Sequence, residues 1–140
     1  MCHVRVFSLI RWLILFSFVL SACGKASIDQ LGPEISDIKT SGNVLVISDC
    51  AGTSVSISAK VTDPSGVKSV SLWYRVEDQP FSSQEVTLQN GVYEVSLQGV
   101  EFLGQGYGTL EFYIEAKDGA GNLSKSPVDR SIQFLPCIGN

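Results

Sequence analysis

From Val55 to Ala116 the apolar residues of this chain recur at every second position in run after run, and this period of two narrows the possible folds more than any other feature. Successive side chains of a β-strand point to opposite faces, so such alternation describes strands with one face buried and the other in water. Val55, Ile57, Ala59 and Val61 alternate with Ser54, Ser56, Ser58 and Lys60. Val70, Leu72, Tyr74 and Val76 alternate with Ser71, Trp73 and Arg75, and Leu110, Phe112, Ile114 and Ala116 make a third run. Val86 and Leu88 meet Tyr93, Val95 and Leu97 across Asn90-Gly91, a pair that tolerates the positive φ of a two-residue hairpin turn. Asp63-Pro64-Ser65-Gly66 and Asp118-Gly119-Ala120-Gly121-Asn122 have tight-turn compositions. A last strand is expected over Arg130 to Leu135, between Pro127 and Pro136, and one or two edge strands over Ile35 to Ile38 and Val44 to Ile47. About seven short strands punctuated by turns predict an all-β, antiparallel β-sandwich.

The first 22 residues belong to a different class of segment. Arg5 and Arg11 precede the apolar run from Trp12 to Leu20 with no acidic residue among them, which is the order of an export signal. The run is too short to span a bilayer without drawing Arg11 into the lipid. Leu20-Ser21-Ala22-Cys23 resembles the bacterial lipobox. That resemblance implies cleavage after Ala22 and an acylated Cys23 as the first residue of the mature chain, carrying diacylglycerol and palmitate-type chains. Gly24 in place of Asp implies the outer membrane if the cell has one, and otherwise the cell membrane. Residues 1–22 are thus read as the lipoprotein signal peptide, 23–33 as a lipid-attached flexible tether, 34–137 as the sandwich and 138–140 as a tail.

Within the sandwich the residues resemble the immunoglobulin-like or fibronectin type III-like modules of exported bacterial proteins. The motifs are Val61-Thr-Asp-Pro-Ser-Gly-Val67, Val70-Ser-Leu-Trp-Tyr-Arg75, Asn90-Gly-Val-Tyr93 and, most specifically, Leu110-Glu-Phe-Tyr-Ile-Glu-Ala-Lys-Asp-Gly-Ala-Gly-Asn122. Such modules act as spacers, adhesion units and enzyme appendages, so the resemblance concerns fold more than function. With Cys2 in the signal and Cys23 on the lipid, Cys50 and Cys137 are left as an even pair in an oxidising compartment. If the strand starting near Thr53 is the second of an immunoglobulin-like order and the last strand the seventh, the start of one and the end of the other share a pole. A Cys50–Cys137 disulfide is expected there.

Removal of the signal leaves eight basic and 14 acidic residues, a balance of −6 that gives nucleic acid no basic patch to bind. The sole histidine, His3, leaves with the signal, so neither a Ser-His nor a Cys-His pair is present. Without a long functional loop as well, the chain is expected not to be an enzyme, and no cofactor is assigned.

Four groups are candidates for a site. Trp73, Tyr113 and Arg75 fall on outward faces, and in an immunoglobulin-like order the strands of Trp73 and Tyr113 are neighbours; two rings side by side suit either a protein contact or sugar stacking. The opposing expectation is that they pack on each other and on the Arg75 stem. Asp63, Asp118 and Asn122 collect at one pole, and converging oxygens suit calcium. Their spacing matches no calcium loop, and such residues usually bond their own turns, so no metal is assigned. Glu111 and Glu115 flank Tyr113 on an open face, where solvation with Lys117 or Arg75 as partner is expected rather than glycoside chemistry. Gln98 to Gly108, with Phe102, Leu103 and Tyr107, either plugs the core or presents a contact tip. The chain is read as a membrane-anchored extracytoplasmic lipoprotein that binds an envelope or surface protein. Carbohydrate binding to a cell-wall or environmental glycan, or a spacer role, is the alternative.

Overall fold

The structure is a computed structural model that describes residues 29–47, 53–102 and 107–136. The described residues form ten strands: β1 (Glu34–Thr40), β2 (Val44–Ile47), β3 (Ser54–Thr62), β4 (Val67–Val76), β5 (Ser82–Glu85), β6 (Thr87–Gln89), β7 (Val92–Gln98), β8 (Gly108–Asp118), β9 (Leu123–Lys125) and β10 (Asp129–Pro136). A 3₁₀ turn, Gly99–Phe102, lies between β7 and β8. The long alternating runs became β3, β4, β7 and β8. The runs read from the sequence account for eight of the ten, and the two beyond them, β5 and β9, are short segments without alternation; Ser82-Ser83-Gln84-Glu85 contains no apolar residue at all.

Two sheets pack face to face. One has the order β1-β3-β7-β6, and the other β2-β10-β8-β4-β5 with β9 also paired to β8. This is the strand order expected of an immunoglobulin-like sandwich. Among the described residues the pairing departs from wholly antiparallel at one place, where β2 runs parallel to β10. Residues 35–38 and 44–47 were expected to supply one or two edge strands, and they supply two: β1 edges one sheet beside β3, and β2 edges the other beside β10.

The inward halves of the alternating runs form one core. Val55, Ile57, Ala59 and Leu97 from one sheet meet Val70, Leu72, Leu110, Phe112, Ile114, Ile132 and Phe134 from the other, all essentially buried. Apart from Ala59, each of these side chains contributes about 1.5–3 kcal/mol of apolar transfer relative to exposure. Phe102 closes one end of this core, with its ring edge-on to Tyr74 at 5.6 Å and to Phe134 at 5.0 Å. It therefore plugs the core, whereas Tyr107 stands in solvent.

Sheet switching between β5 and β6 turns on Val86. Its N–H donates to the Val70 carbonyl and its side chain is buried between exposed Glu85 and Thr87, so the chain pairs with β4 before it and with β7 after it. The following hairpin has the expected geometry: Asn90 and Gly91 both take positive φ, 49° and 85°, and Leu88 stands opposite Tyr93. At the opposite end from Phe102, the two tight turns are tied together by the Gly119 N–H, which donates to the Gly66 carbonyl.

Candidate functional site

Direct pairing of β4 with β8 sets Trp73 opposite Tyr113, Arg75 opposite Glu111 and Ser71 opposite Glu115. Residues at odd positions along both strands face outward because the even ones are committed to the core. Trp73 and Tyr113 stack with centroids 6.1 Å apart and planes 2° from parallel. Phe81 meets Tyr113 edge-on at 5.3 Å, and the Arg75 guanidinium lies 4.6 Å from the centre of the Phe81 ring. The Lys125 ammonium lies 5.2 Å from the centre of the Tyr113 ring. All three rings are half-buried. The Trp73 indole Nε1 is enclosed and has no hydrogen-bond partner among the described residues.

A charged row borders the rings. Glu111 accepts from Arg75 Nε at 2.8 Å and is 2.7 Å from its terminal nitrogen, while its other oxygen accepts from Arg130 Nε at 2.6 Å. The hydrogen bond from Arg130, and then that from Arg75, hold the Glu111 carboxyl below its ordinary range. Glu115 pairs with Lys125 at 3.0 Å, and this bond holds the lysine above its ordinary range. Lys125 reaches Glu115 because β9 pairs with β8 in that register, so Lys117 is not the partner. The glutamates are thus occupied with cations on an open face, as solvating groups.

At the pole joined by Gly119, each aspartate organises its own turn. Asp63 Oδ1 accepts from the N–H and hydroxyl of Ser65, as an Asx turn should. Asp118, which is fully buried, accepts at Oδ1 from the N–H groups of Gly121 and Asn122 and at Oδ2 from the Asn122 amide. Burial pushes its carboxyl up, but the bonds from the Asn122 side chain and from the backbone of Asn122, Gly121 and Ala120 prevail and hold it below the usual range. The same Asn122 amide donates to the carbonyls of Asp29 and Leu31 at 3.2 Å. Residues 29–33, from the end of the expected tether, are therefore held against the domain, and Asp29 joins Asp63 and Asp118.

Of the residues singled out in the sequence, Trp73, Tyr113 and Arg75 share one face, while Cys23, Cys50 and Cys137 lie outside the described residues, as does Leu103. Sequence reasoning missed Phe81, Lys125, Arg130 and Asp29. Phe81 and Lys125 lie in segments with no period, and Asp29 in a polar stretch ahead of the first strand. The Pro80-Phe81 pair beside a polar run was the one local sign that an aromatic there had a use.

No protein-family model matches the chain, and no curated protein matches it. Among solved structures, the Br derivative of BhCBM56 superposes with a TM-score of 0.43 and 17% identity, over 59% of this chain and 83% of that one. A bacterial immunoglobulin-like domain from the M. primoryensis ice-binding adhesin superposes with a TM-score of 0.39 and 18% identity, over 74% of this chain and 94% of that one.

Proposed function

We propose that the chain is a non-catalytic, lipid-anchored extracytoplasmic module that docks a protein partner through the outward face of β4 and β8. The observation that carries this reading is the cluster at the centre of that face, where Trp73, Tyr113 and Phe81 lie among Arg75, Arg130 and Lys125. Tryptophan, tyrosine and arginine dominate the energetics of protein interfaces, and a half-buried aromatic group framed by charges has the anatomy of such a patch. A sugar ring needs an open aromatic face to lie on. Here one face of Trp73 is stacked on Tyr113, and Tyr113 is further flanked by Phe81 and Lys125, a crowding that favours a protein over a glycan on the Tyr113 side.

Anchoring follows from the lipobox resemblance at Cys23, with residues 1–22 removed. A Cys50–Cys137 disulfide draws support from the register of β2 and β10, which ends with Ile47 beside Pro136. Cys50 is three residues beyond the first and Cys137 one beyond the second. The Val46 N–H donates to the Thr53 hydroxyl at 2.6 Å, so both ends of the connection that holds Cys50 start from this corner.

Site-specific photo-crosslinking in living cells tests the docking face. A photoreactive residue at Ser83, exposed and paired opposite Trp73, should give a discrete protein adduct that Trp73→Ala removes. The same residue at exposed Lys60, in the other sheet, should give none. No adduct at Ser83, or glycan retention that Trp73→Ala abolishes, would overturn the protein-docking reading.

A further inference from the structure

Residues 29–33 are fastened to the pole by contacts that a mere linker does not need. The Asn122 amide donates to the carbonyls of Asp29 and Leu31 at 3.2 Å each, and Asp118 Oδ2 holds that amide in place at 2.7 Å. The Leu31 N–H turns back to Asp29 Oδ1 at 3.1 Å. Pro33 is buried and Gly32 half-buried. Gly32 lies so close to β9 that a Cβ there would stand 2.9 Å from the carbonyl carbon and oxygen of Leu123 and 2.6 Å from Ser124 Oγ. Backbone atoms cannot swing aside as the end of a side chain can, so only glycine permits this approach. The Asn122 amide and the missing side chain at Gly32, about 90 positions apart, thus serve one contact.

That contact shortens the chain between anchor and domain. On the lipid-anchored reading, on which this inference rests, the acylated residue is Cys23, and six residue steps separate it from Asp29. Six steps span about 20 Å at most, fully extended. The sandwich is longer than that: β8, with eleven residues, runs about 35 Å from the pole towards the Phe102 end. With Asp29 fastened at the pole, the Phe102 end cannot be turned down onto the bilayer. Released back to Glu34, the same chain has eleven steps and a reach of about 36–40 Å, and the domain can invert.

We propose that Asn122 and Gly32 are positioning residues for the docking face: they clamp residues 29–33 into the domain and so keep its pole towards the membrane. Tyr113 lies five residues along β8 from Asp118, about 17 Å from the pole. The centre of the face is therefore held within about 40 Å of the lipid, with the pole side nearer. A face confined to that layer suits a partner standing in the same membrane, and the short link raises the effective concentration of the face there.

The test uses the full acylated chain in phosphatidylcholine vesicles that carry an acceptor dye on a fraction of the headgroups. A donor dye is placed at exposed Lys68, near the pole, or at exposed Gly42, towards the other end, where a side chain meets nothing within 4 Å. In the parent chain, energy transfer should be stronger from the Lys68 site than from the Gly42 site. Asn122→Ala and Gly32→Val should each narrow that difference and raise hydrogen exchange over residues 29–33 roughly tenfold or more. Protection in β3 and β8 should stay as in the parent, because Asp118 keeps the N–H donors of Gly121 and Asn122 and the core is untouched. Two variants on separate segments guard against a folding defect in either. Equal transfer from the two sites in the parent, or variants whose transfer or exchange matches the parent, would overturn the clamp and leave the anchor standing. A chain that fails to float with the vesicles would overturn the anchored reading, and the clamp's role with it.

Discussion

Glu111 holds two arginines from different strands and has few substitutes for that role. Its side chain is 14% exposed, and it ties Arg75 of β4 to Arg130 of β10 across β8. A folded-state pKa below the unfolded value, about 4.3 for glutamate, means that the ionised form is favoured by folding. Its contribution is then complete above the unfolded pKa and lost as the pH falls through the lowered folded value. In urea unfolding from pH 7 to pH 2, Glu111→Gln should be less stable than the parent chain at neutral pH, and the gap should close on acidification below about pH 4.3. A gap that is constant with pH would mean the arginines find other partners. At the same scale, Asp118 shows how a residue with tight-turn chemistry can be more than a turn residue: the bonds that close its own loop also leave it buried against a segment some 90 positions away.

Among the elements, the β5–β6 segment is the least legible and the most instructive. Its residues alternate weakly, yet Val86 alone decides where the segment leaves one sheet for the other. Burying that one side chain while pairing its N–H with Val70 leaves exposed polar residues on both sides, and both pairings follow. Val86→Ala should cost roughly 1.5–3 kcal/mol in chemical unfolding, and hydrogen exchange should rise first in β5 and β6. Exchange that rises evenly through both sheets would place the switch elsewhere. By contrast the hairpin from Leu88 to Tyr93 was readable outright, because Asn90 and Gly91 are suited to the positive φ that a two-residue turn imposes.

For the whole molecule, the parallel pairing of β2 with β10 ties the first part of the chain to the last. With the disulfide proposed between Cys50 and Cys137, the fastening becomes covalent at the same corner. The loop-entropy account gives a contribution of about 4–5 kcal/mol for a loop of this length. Intact mass of the protein from membranes should show an acylated chain beginning at Cys23 and a gain of two hydrogens on reduction; reduction should then lower the unfolding midpoint. A mature chain of free thiols, or one without acyl groups, would remove the corresponding anchor.

The chain's own sequence determined the β class, the inward and outward faces of the long strands, the two polar turns and the hairpin. These depend on local rules: a period of two and the φ preferences of single residues. Tertiary structure alone decided which edges pair, that Lys125 rather than Lys117 meets Glu115, and that Asp29 arrives beside Asp63 and Asp118. Such meetings depend on register between segments far apart in the chain, and register is set by how the buried faces of two sheets fit together. No periodicity within a single segment carries that information.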